Sequence, residues 1–233
     1  MREIPDGRLA ECAARLGHDF SDVALIREAL VHRSWQAETG EPRNNERLEF
    51  LGDAVLGLAV ADIAFHRLSD MAEGKLTDLR RSTVNMFALA AIARQVGIGE
   101  FILLGKGESA GGGADKDSIL SDALEALIGA VYLDAGMNAA FALVHRLLGD
   151  SIERAIPNLD AFDSKTRLQE LAARLGLGSP HYDTEGDGPD HERTFTSTVI
   201  VGGAPRGTGA GRTKKAAEQA AAVAAFDALS DQP

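Results

Sequence analysis

Residues 45–53 read NERLEFLGD, and the interpretation of this stretch decides the rest. At ~100° per residue, a helix starting here and running to about Phe65 carries Glu46, Glu49 and Asp53 within roughly 60° of one another. Leu48, Phe50, Leu51, Val55, Leu56 and Leu58 stand between and beyond the acids. The helix is therefore mostly apolar and expected to be buried, with Arg47 its only cation as far as Ala61. Carboxylates grouped without cations are costly to bury, because each loses its hydration while repelling its neighbours. Two readings follow: a solvated acidic face, or a buried site completed by a divalent cation.

A second stretch shifts the balance toward the cation. Residues 119–133 (ILSDALEALIGAVYL) form another almost wholly apolar helix whose only charges are Asp122 and Glu125, three residues apart and so on one face. It holds no Lys or Arg. Two core helices presenting uncompensated acids are most simply explained if those acids face each other and share hard metal ions through oxygen ligands. Mg²⁺ suits such a site, since it takes a few carboxylates and keeps waters able to attack a phosphodiester.

The chain has 233 residues, 45% of them hydrophobic, which is ample for one large or two small cored domains. Cys12 is the single cysteine, so no intramolecular disulfide is possible. It falls in a short amphipathic pattern with Leu9, Ala13 and Leu16, which reads as a packed thiol. The start lacks an apolar secretory core, and no apolar run is expected to span a bilayer. A cytoplasmic protein without a membrane segment is the expectation.

The first two thirds read as helical. Residues 22–35 carry apolar positions at Val23, Ile26, Leu30 and Val31, with Ser21 or Asp22 as cap. Residues 73–96 make one or two further helices with a basic patch at Arg80 and Arg81. Residues 105–114 (GKGESAGGGA) read as a flexible loop, and residues 137–156 as a closing helix before Pro157.

Beyond Pro157 the pattern changes. Residues 164–175 are amphipathic, residues 194–201 (TFTSTVIV) alternate with period two, and Gly202-Gly203 signals a hairpin. After a further short strand and a glycine-rich stretch over residues 207–211, Thr213 caps an Ala-rich helix to about Leu229. This predicts an all-α domain over residues 1–157, a linker over 158–162, and a small α+β domain of order α-β-β-β-α over 163–231. At the start of its last helix, Arg212, Lys214 and Lys215 join a glycine turn and free backbone N–H groups, an anion-binding arrangement suited to phosphate. His191, between the first two strands, either reaches a groove or is a solvated loop residue.

NERLEFLGD, with Glu73, Asp122 and Glu125 downstream, resembles bacterial ribonuclease III. So do LVHRS at residues 30–34, GKGE at 105–108 and TRLQE at 166–170, and the tail resembles that family's double-stranded RNA-binding domain. The resemblance implies a ribonuclease III type helical domain that dimerises with a second copy. It also implies Mg²⁺-dependent hydrolysis of double-stranded RNA, with Mn²⁺ able to substitute, in processing of structured precursors such as ribosomal, messenger and transfer RNA. The metal site it implies is Glu49, Asp53, Asp122 and Glu125, with Asp53 and Glu125 central to catalysis, and it sets Glu46 and Glu73 near the dimer and substrate surface. In the tail, Lys165, Thr166, Gln169, His191, Arg212, Lys214 and Lys215 are the expected RNA contacts. Duplex RNA suits a reader of shape, because its deep major groove hides the bases while the minor groove shows 2′-hydroxyls.

Two rivals come from other classes. Residues 107–111 (GESAG) fit the nucleophile elbow of serine hydrolases, with Ser109, Asp122 and His145 in triad order, but an elbow needs a strand before the serine and a helix directly after it. The other rival is a non-catalytic double-stranded RNA-binding protein. The formal charge of -11 also stands against a polyanion partner. Even residues 158–233 hold 8 Lys and Arg against 11 Asp and Glu, a net of -3. Phosphates meet the local field, since charges beyond ~8 Å are largely screened at physiological salt, so RNA binding is expected to rest on few ionic contacts.

Overall fold

The computed structural model describes residues 6–189 and 193–230, apart from the side chains of residues 6, 158 and 160–163. The chain divides into two compact units, Met1–Ile156 and Pro157–Pro233. The first is helical: α1 (Asp6–Leu16), α2 (Val23–Ala29), α3 (Arg33–Thr39), α4 (Glu46–Arg67), α5 (Glu73–Thr83), α6 (Met86–Val96), α7 (Lys106–Ala110) and α8 (Asp117–Ala155).

The centre of this unit is the first half of α8. Its apolar side chains from Ile119 to Val131 are buried on every side, as expected of a helix without a polar face. Residues 117–155, read as two helices, run on as one element sharply broken at Gly136, whose φ of 79° only glycine adopts cheaply. One 18-residue window of α8 reaches a mean hydropathy of 1.6, more than the sequence reading allowed, and α4, α6, α2 and α5 pack against this helix.

Helices α4 and α8 meet at two glycines. A Cβ on Gly52 would lie 1.8 Å from the carbonyl oxygen of Glu125, and one on Gly129 would lie 2.4 Å from that of Leu48. The backbones are thus in contact, and each glycine stands one turn from acids of the predicted site.

Several expectations need correction. Residues 22–35 do not form one helix. The chain leaves α2 after Ala29 because Leu103 takes its backbone groups, with Leu103 N–H donating to Leu30 O at 2.8 Å and His32 N–H donating to Leu103 O at 3.1 Å. Of the two caps expected for α2, Asp22 is the one used, accepting from Ala24 N–H at 3.0 Å. Residues 105–114 are ordered as α7 and a 3₁₀ turn at Gly113–Asp115. Most consequentially, α4 is not buried all round. Phe50 is 81% exposed, Leu58 52% and Phe65 67%, while Leu48, Val55 and Leu56 are buried. At 100° per residue Phe50, Ala54, Leu58, Ala61 and Phe65 fall on one side, so α4 has two apolar faces and only one is covered.

The second unit runs α9 (Leu159–Arg174), β1 (His181–Asp187), β2 (Thr194–Val201), β3 (Ala204–Gly211) and α10 (Lys214–Ser230). Residues 159–162, read as linker, are the first turn of α9. The sheet is antiparallel in the order β1-β2-β3, and its hairpin turns at Gly202 and Gly203 with φ of 62° and 77°. The core joins Leu168, Leu171 and Ala172 of α9 to Val199 and Val201 of β2 and to Ala221, Ala222, Ala225 and Leu229 of α10. The glycines of residues 207–211 belong to β3 rather than to a loop. A Cβ on Gly207, Gly209 or Gly211 would come within 2.7 Å of α10, so this strand and the Ala-rich helix pack almost backbone to backbone.

The helix contact at Gly52 is directly testable. Gly52→Ala is expected to cost about 1–3 kcal/mol in urea unfolding, because the added methyl forces α4 off α8. Gly149→Ala, where a Cβ meets only His145 at 3.9 Å, should instead gain up to about 1 kcal/mol from helix propensity.

Candidate metal centre and RNA-binding face

Glu49 projects from the first turn of α4, and Asp122 and Glu125 from the second and third turns of α8. One carboxylate oxygen from each lies within 4.8 Å of the others. Among the described residues no Lys or Arg pairs with any of the three. Burial acts on all three, and repulsion by neighbouring carboxylates on Glu49 and Glu125. Glu125 is pushed up to about 8, first by desolvation and then by the charges of Asp53, Asp122 and Glu49. Glu49 is raised by desolvation and by Asp122 and Glu46, and Asp122 by desolvation, partly offset by a hydrogen bond from Ser121 Oγ at 3.2 Å. The donor set is hard, anionic, partly desolvated and short of cations, which fits a small divalent ion.

The other predicted acids stand further out. Asp53 is exposed, one turn beyond Glu49, near enough to raise Glu125 but lining a separate shallow groove with Arg80 and Arg81. Glu46 sits at the cleft mouth, 3.8 Å from Arg33 and accepting from Asn44 Nδ2 at 3.0 Å. Glu73, exposed at the start of α5, accepts from Thr77 Oγ1 at 2.8 Å and does not line this cleft. The cleft, about 430 Å³, is also lined by His32, Asn45, Glu108 and Lys116, to which the sequence reading assigned no role. The signal was present, since LVHRS and GKGE carry two of them, but period and charge alone do not say that both motifs converge on the acids. Ser109 lies in α7, and no strand is found among described residues 6–156, so the elbow context is absent.

In the second unit, Thr166 and Gln169 are exposed on α9, and Arg212, Lys214 and Lys215 are exposed at the start of α10. Ser164 Oγ donates to Gln219 O at 3.2 Å, which sets the start of α9 beside α10 within two turns of Lys214. Lys165 lies differently from the sequence expectation. Its ammonium is engaged by Glu218 and sits 4.3 Å from the Tyr182 ring centroid, so it is partly occupied within the domain. His191 lies outside the described residues. Asp183 and Glu185 point from β1 to the outer face of the sheet, whereas Tyr182 and Thr184 face inward. Acids thus gather on the outer face of β1 while Arg212, Lys214 and Lys215 cluster at the start of α10, so a phosphate arriving there meets a local field unlike the unit's net charge.

The profile of the Ribonuclease-III-like family matches residues 22–152. The chain belongs to the ribonuclease III family. The double-stranded RNA binding motif matches residues 164–229. Relatives span nearly the whole molecule: Ribonuclease 3 of Thermobifida fusca (strain YX) is 53% identical over 205 residues, 88% of this chain and 85% of that one. Ribonuclease 3 of Mycobacterium tuberculosis (strain ATCC 25618 / H37Rv) is 51% identical over 218 residues, 92% and 90%. Among solved structures, the nuclease domain of ribonuclease III from Campylobacter jejuni superposes with a TM-score of 0.58 at 44% identity, covering 61% of this chain and 96% of that one. The all-α unit followed by α-β-β-β-α is therefore this family's arrangement.

The raised acids make stability depend on pH in a known direction. A carboxyl whose folded value lies above its unfolded value contributes stability at low pH, which is lost as pH rises through the folded value. In chelator, the melting temperature should therefore fall as pH rises from about 4.5 toward 8, where Glu125 ionises. A divalent ion held by these acids would have to displace that proton, so its stabilising effect should grow over the same range. Calorimetry with and without Mg²⁺ reads both, and Glu125→Gln should flatten much of the dependence.

Proposed function

We propose that the chain is an endoribonuclease that hydrolyses phosphodiester bonds of double-stranded RNA at a divalent-metal centre built from Glu49, Asp53, Asp122 and Glu125. The observation that carries the reading is the convergence of three partly buried, cation-free carboxylates from α4 and α8. Mg²⁺, with Mn²⁺ as a substitute, supplies a Lewis acid for the phosphoryl oxygens and an activated water when bound. The chain's own groups do the rest. Glu125 gives up its proton to join Glu49 and Asp122 in holding the ion, and Asp53 adds a fourth negative charge from the same face of α4. No side chain is needed as nucleophile. Thr166, Gln169, Arg212, Lys214 and Lys215 hold the duplex by its sugars and phosphates, with Lys165 as a partly occupied neighbour. Processing of structured precursors in the cytoplasm fits this chemistry, and the buried reduced Cys12 is compatible with it.

Cutting both strands of a duplex by one chemistry requires two sites of opposite polarity, which a two-fold homodimer supplies. The uncovered stripe of α4 supports such a dimer, and a related Campylobacter jejuni structure is described as flexible in a region involved in dimer formation. Phe50 projects beside Glu49, so the interface and the metal centre share a helix turn. Phe50→Glu should leave the fold intact and convert a two-chain mass to a one-chain mass in light scattering at micromolar concentration. A persistent dimer would remove this stripe from the interface.

The metal centre is tested by Glu125→Gln, which keeps shape but cannot supply anionic charge. Cleavage in Mg²⁺ should drop by orders of magnitude while duplex binding in Ca²⁺ stays near wild type. Near-normal cleavage would exclude Glu125 from the site.

A further inference from the structure

The imidazole of His32 is committed at one edge only. His32 is the N-cap of α3, and its Nδ1 accepts the backbone N–H of Ser34 at 3.2 Å and lies 2.8 Å from Ser34 Oγ. Ser34 Oγ in turn accepts the N–H of Gly105 at 2.9 Å. A hydroxyl carries a single proton, and with Gly105 donating to the oxygen, that proton is directed at Nδ1. Two donors thus converge on Nδ1, so the neutral ring must carry its proton on Nε2. The arrangement is held by backbone. Gly105 reaches Ser34 because it has no side chain: a Cβ there would lie 2.7 Å from Ser34 O. His32 itself is anchored through its N–H to Leu103 O.

Nε2 has no hydrogen-bond partner among the described residues, and the ring lines the cleft shared with Glu49 and Asp122. Burial holds the imidazole below its usual range, against the pull of Glu108, Asp122 and Glu46. A neutral donor with a fixed tautomer adds a directed hydrogen bond that needs no reorganisation when a ligand arrives. Arg33 and Lys116 line the same cleft, but both are spoken for, Arg33 near Glu46 and Lys116 by Glu108. The ring is a donor already oriented toward that cleft.

We propose that His32 Nε2–H donates to a non-bridging phosphate oxygen of the RNA strand in this cleft, making His32 a substrate-binding residue whose direction is set by the Gly105–Ser34 relay. The inference rests on the function proposed above. Such a contact exists before and during the reaction, so its loss raises KM more than it lowers kcat.

The variants are His32→Asn, which keeps a favourable N-cap for α3 but stops short of the cleft, and Ser34→Ala, which removes the hydroxyl and keeps the backbone donor. With the wild-type melting temperature retained, His32→Asn should lower kcat/KM on a short RNA duplex about tenfold, chiefly through KM. Ser34→Ala should show a smaller loss of the same kind. A duplex with 2′-deoxy sugars flanking the cut should show the same ratio of wild type to His32→Asn. If that ratio collapses to one, the acceptor is a 2′-hydroxyl and the phosphate assignment is wrong. Unchanged KM and kcat in a stable His32→Asn would reduce the ring to a helix cap and overturn the proposal. If His32→Asn melts lower, Ser34→Ala decides, and wild-type kinetics there overturn it. Wild-type protein that cuts no duplex in Mg²⁺ would instead defeat the underlying function.

Discussion

The whole catalytic unit depends on the backbone contact between α4 and α8 at Gly52 and Gly129. Helices with ordinary side chains cross with their axes 8–10 Å apart, and here two missing side chains let the carbonyls of Leu48 and Glu125 touch the opposite glycine. Glu49 lies one turn before Gly52 and Glu125 one turn before Gly129, so the crossing draws together carboxylates about seventy residues apart in sequence. The packing that buries Leu48, Val55, Leu56, Leu124 and Ile128 therefore also forces like charges together. Hydrophobic burial of these side chains contributes roughly 1.5–3 kcal/mol each, enough to impose repulsion that the acids alone would never tolerate.

This conflict is the source of the site's chemistry. A protein that needed only stability would replace Glu125 with an apolar residue, since a carboxyl pushed up to about 8 is unfavourable to ionise. Retaining it makes sense where an ion completes the shell and recovers the lost solvation. The second unit handles charge in the opposite way. It leaves Asp183 and Glu185 solvated on the outer face of β1 and presents Arg212 and Lys214 at a helix start, so phosphates meet a local field whose sign differs from that of the domain as a whole.

Much of this was legible in the sequence because it is periodic. Uncompensated acids on apolar helices pointed to Glu46, Glu49, Asp53, Asp122 and Glu125, of which the helix crossing groups Glu49, Asp122 and Glu125, and the alternation in residues 194–201 matched β2 residue for residue. Two kinds of feature were not legible. Exposure of Phe50, Leu58 and Phe65 escaped notice because an apolar residue looks the same whether it faces its own core or a partner copy. The break after Ala29 escaped because it is caused by Leu103, more than seventy residues downstream, whose backbone hydrogen bonds override the helical period of residues 22–35. His32 was hidden for the same reason, since its role appears only when Ser34 and Gly105 are side by side.

The central claim is that the α4–α8 crossing builds a divalent-metal site. Its most direct measurement is anomalous diffraction from crystals of the full chain soaked in Mn²⁺. The account predicts a peak bounded by carboxylate oxygens of Glu49, Asp122 and Glu125, lost in Glu125→Gln. A protein that cleaves RNA in Mn²⁺ yet binds the ion elsewhere, or shows no peak among these three residues, would contradict it.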